Sequence, residues 1–415
     1  MSKCVRYERS LVFISGLLLL SLVAGSFRVS AQAPSASILV KPPIHTKGLA
    51  QPSVVGLTPS QIRRTYGFDQ ISNQGAGQTI GIIEAFGHPQ IERDLATFSE
   101  TFNLPPCTTS NGCFQKIFST AKHPGTDQLW ALETALDVEW AHAIAPQARI
   151  MLVEAPSDTL NDLMQAVDVA VSLGATVISM SWRTVSEFAG EGDFDNHFIA
   201  ANISFVASSG DCGAGVPSSS SFCGGTGYPA VSPYVTAVGG TTLSVDKQGN
   251  YLGEVAWGLS GGGLSDFEPE PGYQRDFPLR NNPSVKRGTP DVAYNADPDS
   301  GFAVYTTIGY QGFRGWIQVG GTSAGAPQWA ALLAIARSMG WSPLAGNNAW
   351  GSNTALYAAA STSTSFKNNY HDITSGSNGD CLSCSATKGY DYVTGLGSPQ
   401  AAKLVKAMVT AVTAR

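Results

Sequence analysis

Short runs of apolar and β-branched residues alternate with segments of helical spacing along most of the chain. Continuous apolar runs bounded by glycine-rich turns indicate buried strands, and apolar positions three and four apart indicate helices. Strands are predicted at 78–84, 149–154, 177–181, 204–208 and 316–319, and helices at 89–102, 126–143, 160–173, 323–339 and 399–412. This alternation is typical of a mainly parallel sheet covered by helices on both faces, so one α/β domain is predicted at 57–415.

Two stretches carry no such periodicity. Residues 259–290 are dense in glycine, proline and charge, and are predicted to form a loop. Residues 34–56 are rich in proline, serine and valine, and are interpreted as a short leader or linker. No internal repeat is found, and nothing in the pattern requires a second domain.

The chain begins with the features of an export signal. Basic residues within the first nine precede a nearly unbroken apolar run at 11–24, and Ala31-Gln32-Ala33 supplies the small residues that signal peptidase cuts. A membrane anchor is the alternative, but the run is shorter than the roughly 20 residues that span a bilayer. Residues 1–33 are therefore predicted to be a signal peptide, and the mature protein to be secreted, extracellular or periplasmic, without membrane contact.

Charge is scarce in this chain. Charged residues make up 13 % of the sequence, about half of the usual share of about 25 %. A surface with few ionisable groups changes its charge little as the pH falls, so self-repulsion in acid is weak. The net charge is −6 and no cluster of lysine and arginine is present, which argues against a nucleic-acid partner.

The cysteines lie in close pairs along the sequence. Cys4 is lost with the signal peptide, and the remaining ones suggest the local disulfides Cys107–Cys113, Cys212–Cys223 and Cys381–Cys384, although sequence alone leaves the pairing open. The Cys-x-x-Cys spacing at 381–384 also suggests a redox or zinc site. No second pair of this spacing accompanies it, so zinc is disfavoured.

A serine follows the glycine turn at the end of the strand 316–319. Ser323 begins the predicted helix 323–339, where unpaired N–H groups and the helix dipole stabilise negative charge on an alkoxide or oxyanion. The small residues around it leave room for a substrate. The alternative is that Ser323 only caps the helix.

A serine nucleophile needs a base. The six histidines do not lie in a glycine-rich catalytic setting, so the base is expected to be a carboxylate. Glu133 and Asp137 stand four positions apart, hence on one helix face, and sharing a proton would raise one of their pKa values. A solvated acidic helix face is the alternative interpretation.

A third acidic residue directly follows a strand. Asp211 comes after the predicted strand 204–208, at the carboxyl edge where open α/β sheets bind ligands. In its protonated form it would donate a hydrogen bond to an oxyanion. An ordinary Asp-Cys-Gly turn is the alternative.

These segments together resemble the pattern of the sedolisin family, the serine-carboxyl peptidases. Glu-x-x-x-Asp at 133–137, Gly-Asp at 210–211 and Gly-Thr-Ser-x-x-x-Pro at 321–327 occur in the family's order. The stretches 82–84, 179–182 and 289–293 are similar to others of the family. The resemblance implies a subtilisin-like fold, a triad of Ser323, Glu133 and Asp137, an oxyanion hole containing Asp211, and a hydrogen-bond chain extended by Glu84 and Trp182.

The resemblance also implies one Ca²⁺ near the C-terminal end. The matching residues are Asp372 and Asp391 as side-chain ligands, and Ile373, Thr387 and Gly389 as carbonyl ligands. Carboxylates and carbonyls form the oxygen-rich shell that Ca²⁺ prefers. Without the resemblance, two aspartates in glycine-rich loops would more often be turn formers.

The expected protein is therefore a secreted, monomeric endopeptidase that cleaves protein or peptide substrates at acid pH. Tripeptidyl-peptidase action, a histidine-dependent subtilisin and a non-catalytic binding protein on a peptidase scaffold are the alternatives. Sedolisins are usually made with a large N-terminal pro-domain. Only 34–56 lies between the predicted signal peptide and the catalytic region, which puts activation by removal of a prosegment in doubt.

Overall fold

The computed structural model describes residues 37–214, 225–277, 285–343 and 351–413. The predicted signal peptide, 1–33, lies outside these residues. Within the described ranges, no helix combines the length and the apolar character needed to cross a bilayer.

The strands and helices agree with most of the predicted ones to within a few residues. In chain order the strands are β1 (Val40–Lys41), β2 (His45–Gln51), β3 (Thr79–Ala85), β4 (Phe114–Phe118), β5 (Arg149–Ala155), β6 (Val177–Met180), β7 (Arg183–Thr184), β8 (Ser204–Ser208), β9 (Val235–Val245), β10 (Tyr251–Ala256), β11 (Gly263–Pro269), β12 (Lys286–Thr289), β13 (Val292–Asn295), β14 (Phe302–Tyr310), β15 (Phe313–Gly320), β16 (Tyr370–His371) and β17 (Ser398–Pro399). The helices are α1 (Pro59–Tyr66), α2 (Ile91–Thr101), α3 (Gln128–Ile144), α4 (Leu160–Ser172), α5 (Gly272–Arg275), α6 (Gly325–Ser338), α7 (Gly351–Ala358), α8 (Ser363–Asn369) and α9 (Ala401–Thr413).

An eight-stranded sheet lies at the centre of the described domain. Its strands follow the order β10-β9-β8-β6-β3-β5-β4, and β13 pairs with β9. All neighbours run parallel except β10, which is antiparallel to β9. The predicted α/β fold with a mainly parallel sheet is confirmed.

Helices cover both faces of the sheet because its strands are apolar on both sides. Ile80 and Ile82 of β3 belong to the hydrophobic cluster that includes α3 and α6, whereas Ile83 belongs to the cluster on the α4 side. Side chains alternate between the faces of a strand. Glu84, two positions after Ile82, therefore shares the face covered by α3.

The loop predicted at 259–290 is wrong in part, because β11 and β12 pair there as antiparallel strands. Their register shifts between Leu264 and Pro269, so no regular alternation marks the pair in the sequence. Residues 40–51, within the predicted leader or linker, also form the strands β1 and β2. Most of β2 is half-buried or exposed, and strand periodicity is weak there.

Two predicted disulfides are present, Cys107–Cys113 and Cys381–Cys384. Each closes a short loop. Cys212 is also disulfide-bonded, but its predicted partner, Cys223, lies outside the described residues.

Candidate active site

Ser323 lies in a 3₁₀ turn, Thr322–Ala324, between the end of β15 and the start of α6. Gly321 precedes this turn with φ +112°, and a Cβ there would overlap the Pro43 carbonyl oxygen and lie 2.7 Å from Asp211 Oδ2. A glycine is thus required at 321 by conformation and by crowding. This close approach brings the serine to the loop that carries Asp211.

The acidic pair of α3 is completely buried. Asp127 caps the helix by accepting hydrogen bonds from the Leu129 and Trp130 amides, and Glu133 and Asp137 follow with no exposed surface. The interpretation of this segment as a solvated acidic face is therefore wrong. α3 is surrounded by α2, α6, β3 and β14, so water has no access to the helix beyond its first residues, Gln128 and Leu129.

A chain of polar groups runs inward from Ser323. The Ser323 hydroxyl interacts with Glu133, Glu133 with Asp137, and Asp137 with Glu84. The Ser323 Oγ also makes a long hydrogen bond, 3.5 Å, to the Ser181 carbonyl. The interaction of the Ser323 hydroxyl with Glu133 acts to lower the pKa of that carboxyl, against the effect of burial, so the serine lies beside its expected base.

The carboxyl groups in this chain hold protons at pH values where exposed carboxyls are ionised. Burial, followed by the charge of Asp137, raises the pKa of Glu133 well above its usual range, and the same causes act on the pKa of Glu84. Burial raises the pKa of Asp137 to about 7. Both carboxyl oxygens of Glu84 and of Glu133, and Oδ1 of Asp137, are buried and receive no hydrogen bond of ordinary length and angle within the described residues. Two ionised carboxylates in contact repel each other, so these contacts require a shared proton.

Ser181 supports this chain, a role that the sequence interpretation gave to Trp182. Ser181 Oγ donates to Asp137 Oδ2 at 2.7 Å. Trp182 Nε1 instead donates to the Ile83 carbonyl at 2.9 Å, so the expectation for Trp182 is wrong. Side chains of β6 alternate between the two faces of the sheet. Val177 faces α3, and Ser181, four positions later, lies on the same side, so Ser181 and not Trp182 reaches Asp137.

Asp211 faces the turn that carries Ser323. Its Oδ1 accepts hydrogen bonds from the Thr322 amide at 2.9 Å and the Thr322 hydroxyl at 2.7 Å. Its Oδ2 lies 3.2 Å from His45 Nε2, and this hydrogen bond raises the pKa of His45. The structure thus brings Ser323, Glu133, Asp137 and Asp211 into one site from three distant segments.

Residues 38–51, here called the strap, cross this site. The Ser323 amide donates to the Pro43 carbonyl at 3.4 Å, while His45 covers Asp211. The strap continues as β2 along β15, the strand that leads to Ser323. Pro43 and His45 are contacts that the sequence interpretation missed. No periodicity marks them, and a single histidine in a proline-rich stretch was the available signal.

The histidines do not replace the carboxylates. The six histidines lie in the described ranges and have other surroundings: His45 faces Asp211, His88 faces Asp94, His142 contacts the Pro105 carbonyl, His197 faces Asp168, and His123 and His371 stack on Phe118 and Tyr251. The described contacts therefore favour a carboxylate as the base for Ser323.

The residues expected to bind calcium come together in adjoining loops. Asp372 accepts hydrogen bonds from the Gly389 amide at 3.0 and 3.3 Å. Asp391 accepts from the amides of Thr387, Val393 and Thr394. Burial raises the pKa of Asp372 and raises that of Asp391 to about 6. Two partly desolvated carboxylates that contact the same loop, 387–389, suit a divalent cation, which would stabilise their charged forms.

Comparisons with known proteins match this geometry. The sequence model of the subtilase family matches residues 125–378. The chain is 31 % identical over 380 residues to kumamolisin from Bacillus sp. (strain MN-32), covering 85 % of this chain and 63 % of that protein. It is 29 % identical over 387 residues to sedolisin from Pseudomonas sp. (strain 101), covering 86 % and 62 %.

A tripeptidyl-peptidase 1 from Dictyostelium discoideum is 28 % identical over 390 residues, with 84 % of this chain and 58 % of that protein covered. The chain thus spans less than two thirds of the length of these curated relatives. Among solved structures, the fold is similar to Pseudomonas sedolisin (serine-carboxyl proteinase) complexed with two molecules of pseudo-iodotyrostatin. The TM-score is 0.70 and the identity 28 %, with 86 % of this chain and 99 % of that chain covered.

Proposed function

Because the chain belongs to the subtilase family, as a member of its sedolisin group, we propose that it is a secreted, monomeric serine-carboxyl endopeptidase. Its substrates are proteins or peptides, which it cleaves at acid pH. The observation that carries this proposal is the buried chain from the Ser323 hydroxyl through Glu133 and Asp137 to Glu84, with Asp211 at the same turn.

The reaction is acyl transfer. In the reactive state the proton shared by the pair resides on Asp137 and leaves Glu133 ionised. Ser323 Oγ attacks the peptide carbonyl carbon while Glu133 takes the hydroxyl proton. The resulting oxyanion is held by the Ser323 amide and by protonated Asp211. Glu133 then returns its proton to the leaving amine. Water next attacks the ester on Ser323 while Glu133 takes a proton from the water, and that proton returns to Ser323 Oγ as the acid product leaves.

The strap must leave before a substrate enters. The Pro43 carbonyl holds the Ser323 amide, and His45 holds the Asp211 oxygen that the oxyanion needs. Displacement of the strap frees the Ser323 amide and Oδ2 of Asp211, which can then face the oxyanion.

The rate of peptide hydrolysis is expected to be highest between about pH 3 and 5 and to fall as the pH approaches 7. The reason is that Glu133, Asp137 and Glu84 share protons whose loss is complete only above their raised pKa values, about 7 for Asp137. Digestion of an unbiased peptide library from pH 3 to 8 measures the profile. A rate that rises steadily to pH 8 would indicate a histidine-dependent subtilisin instead.

The same digestion separates internal cleavage from tripeptidyl-peptidase action, which the names of several relatives suggest. Internal cleavage gives products of many lengths, because the bond is chosen by the side chains around it. Tripeptides released one after another from the N-terminus would support the second specificity and overturn the endopeptidase proposal.

One Ca²⁺ is proposed to stabilise the C-terminal loops through Asp372 and Asp391, with carbonyls of Ile373, Thr387 and Gly389. When bound, the ion supplies charge that holds the two carboxylates together. Chelation near pH 6.5 is expected to lower the Tm by on the order of 5 °C, because a ligand that binds only the folded state stabilises it. Differential scanning calorimetry with and without calcium measures the change.

Asp391→Asn is expected to remove this calcium response, whereas Asp380→Asn should keep it. Asp380 is exposed and lies in the neighbouring loop, so it controls for loss of a charge in the same region. Equal calcium responses of the two variants would contradict the assignment of Asp391.

A further inference from the structure

The strap binds its own domain in the manner of an extended peptide. β1 is antiparallel to β7, with Val40 opposite Thr184 and Lys41 opposite Arg183. On its other edge, the Val40 amide donates to the Asp158 carbonyl at 2.9 Å, and Leu39 forms an antiparallel bridge with Thr159. A single segment is therefore held between two backbone edges, which recognise any extended chain through main-chain hydrogen bonds.

The register of the strap is set at the nucleophile. The Pro43 carbonyl accepts from the Ser323 amide at 3.4 Å, so Pro43 lies where a substrate would place the carbonyl to be attacked. Counted back from the bond after Pro43, the residues Pro43, Pro42, Lys41 and Val40 occupy the first four subsites. The strap thus shows where the residues of a bound substrate would lie in the cleft.

The side chains of the strap differ sharply in burial. Val40 is completely buried within the hydrophobic cluster that also contains Trp130, Leu160 and Trp182. The next residue, Lys41, is exposed. Side chains of an extended peptide alternate in direction, so the fourth subsite is an apolar pocket and the third faces water.

We infer that this protein selects extended peptides with a branched aliphatic side chain at the fourth position before the cleaved bond, and tolerates any side chain at the third. The inference rests on the proposed function, whose site it describes in more detail. The physical cause is burial: a valine-sized side chain gains from leaving water in the fourth subsite, whereas a charged one would be desolvated without a partner.

Matched fluorogenic peptides test the inference on the full chain at pH 4. One set differs only at the fourth position, with Val, Ile, Ala or Asp, and the other only at the third, with Lys, Val or Asp. We expect kcat/KM to fall about 10-fold to 100-fold from Val to Asp at the fourth position, and to vary by less than about threefold at the third. Equal use of Val and Asp at the fourth position would overturn the inference and leave the proposed function intact.

Peptide binding gives a second test that does not need catalysis. In a Ser323→Ala background, the probe is a fluorescent synthetic peptide with the sequence of residues 37–47, which competes with the tethered strap. Val40→Asp should weaken binding of the strap, so the apparent Kd of the probe should fall by about tenfold or more. Lys41→Asp introduces the same side chain one residue later, at an exposed position, and should change this Kd by less than about twofold.

The near-isosteric Val40→Thr should lie between these variants, and it covers the case in which Val40→Asp does not fold. Unchanged or equal Kd values in the Val40 and Lys41 variants would overturn the assignment of the fourth subsite. If the probe binds as expected but no peptide is hydrolysed by the unmodified chain, the proposed function fails while the subsite assignment stands as a property of a peptide-binding cleft.

Discussion

Replacement of Ser323 by alanine is expected to lower kcat for peptide hydrolysis by about 10⁴-fold to 10⁶-fold, because no acyl-enzyme can form without its Oγ. The fold should persist. Ser323 has no exposed surface, and its hydroxyl makes one long hydrogen bond, 3.5 Å to the Ser181 carbonyl, besides its interaction with Glu133. Steady-state hydrolysis at pH 4, together with a thermal unfolding curve, measures both effects.

The control is Ser172→Ala, which removes the hydroxyl of an exposed serine at the end of α4. Its kcat should equal that of the unmodified chain. If the Ser323 variant retained full turnover, the nucleophile would lie elsewhere. If the unmodified chain hydrolysed no peptide at any pH while remaining folded, a non-catalytic binding protein on this scaffold would be the better explanation.

Replacement of Glu133 by glutamine is expected to lower kcat by about 10³-fold or more and to stabilise the protein at neutral pH. The loss of turnover follows because an amide cannot accept the Ser323 proton. The gain in stability follows from burial, which raises the pKa of Glu133 above its value in the unfolded chain. Such a group stabilises the fold below about pH 4, and this contribution is lost as the pH rises through the folded pKa.

The glutamine variant has no such loss. Its free energy of unfolding should exceed that of the unmodified chain by on the order of 1–3 kcal/mol near pH 7, and should differ little at pH 3–4. Urea unfolding at the two pH values measures the difference. Glu100→Gln, on the exposed end of α2, should change neither turnover nor stability. A Glu133 variant that is destabilised equally at both pH values would contradict the proton-sharing arrangement.

The grouping of the site's residues could be predicted from the sequence because they lie at positions that regular structure determines. Glu133 and Asp137 are one helical turn apart, and Asp211 follows the strand β8, whose bounds were predicted correctly. Ser323 lies between a strand and a helix that the apolar pattern also indicates. Local rules place these side chains, and the parallel sheet brings its strand ends together.

Other parts depend on tertiary contacts that leave little trace in a local pattern. Ser181 replaces Trp182 next to Asp137 because of the direction in which β6 presents its side chains. The strap is held in the cleft by backbone hydrogen bonds to two neighbouring segments and to the Ser323 amide. Such backbone contacts do not depend on hydrophobic periodicity. The register between β11 and β12 is irregular. These strands were missed because a search for regular apolar alternation does not detect such a pair.

The burial of α3 from Trp130 to Ile144 couples the folding of this protein to proton uptake from the solvent. Its carboxyl groups are hydrated and ionised in the unfolded chain at neutral pH, and they must be dehydrated when the helix docks into the core. Each carboxyl with a raised pKa therefore captures hydrogen ions as the core closes. Dehydrating these groups costs more free energy for newly made chains in an alkaline medium than in an acidic one, so acidity of the surroundings favours docking of this helix.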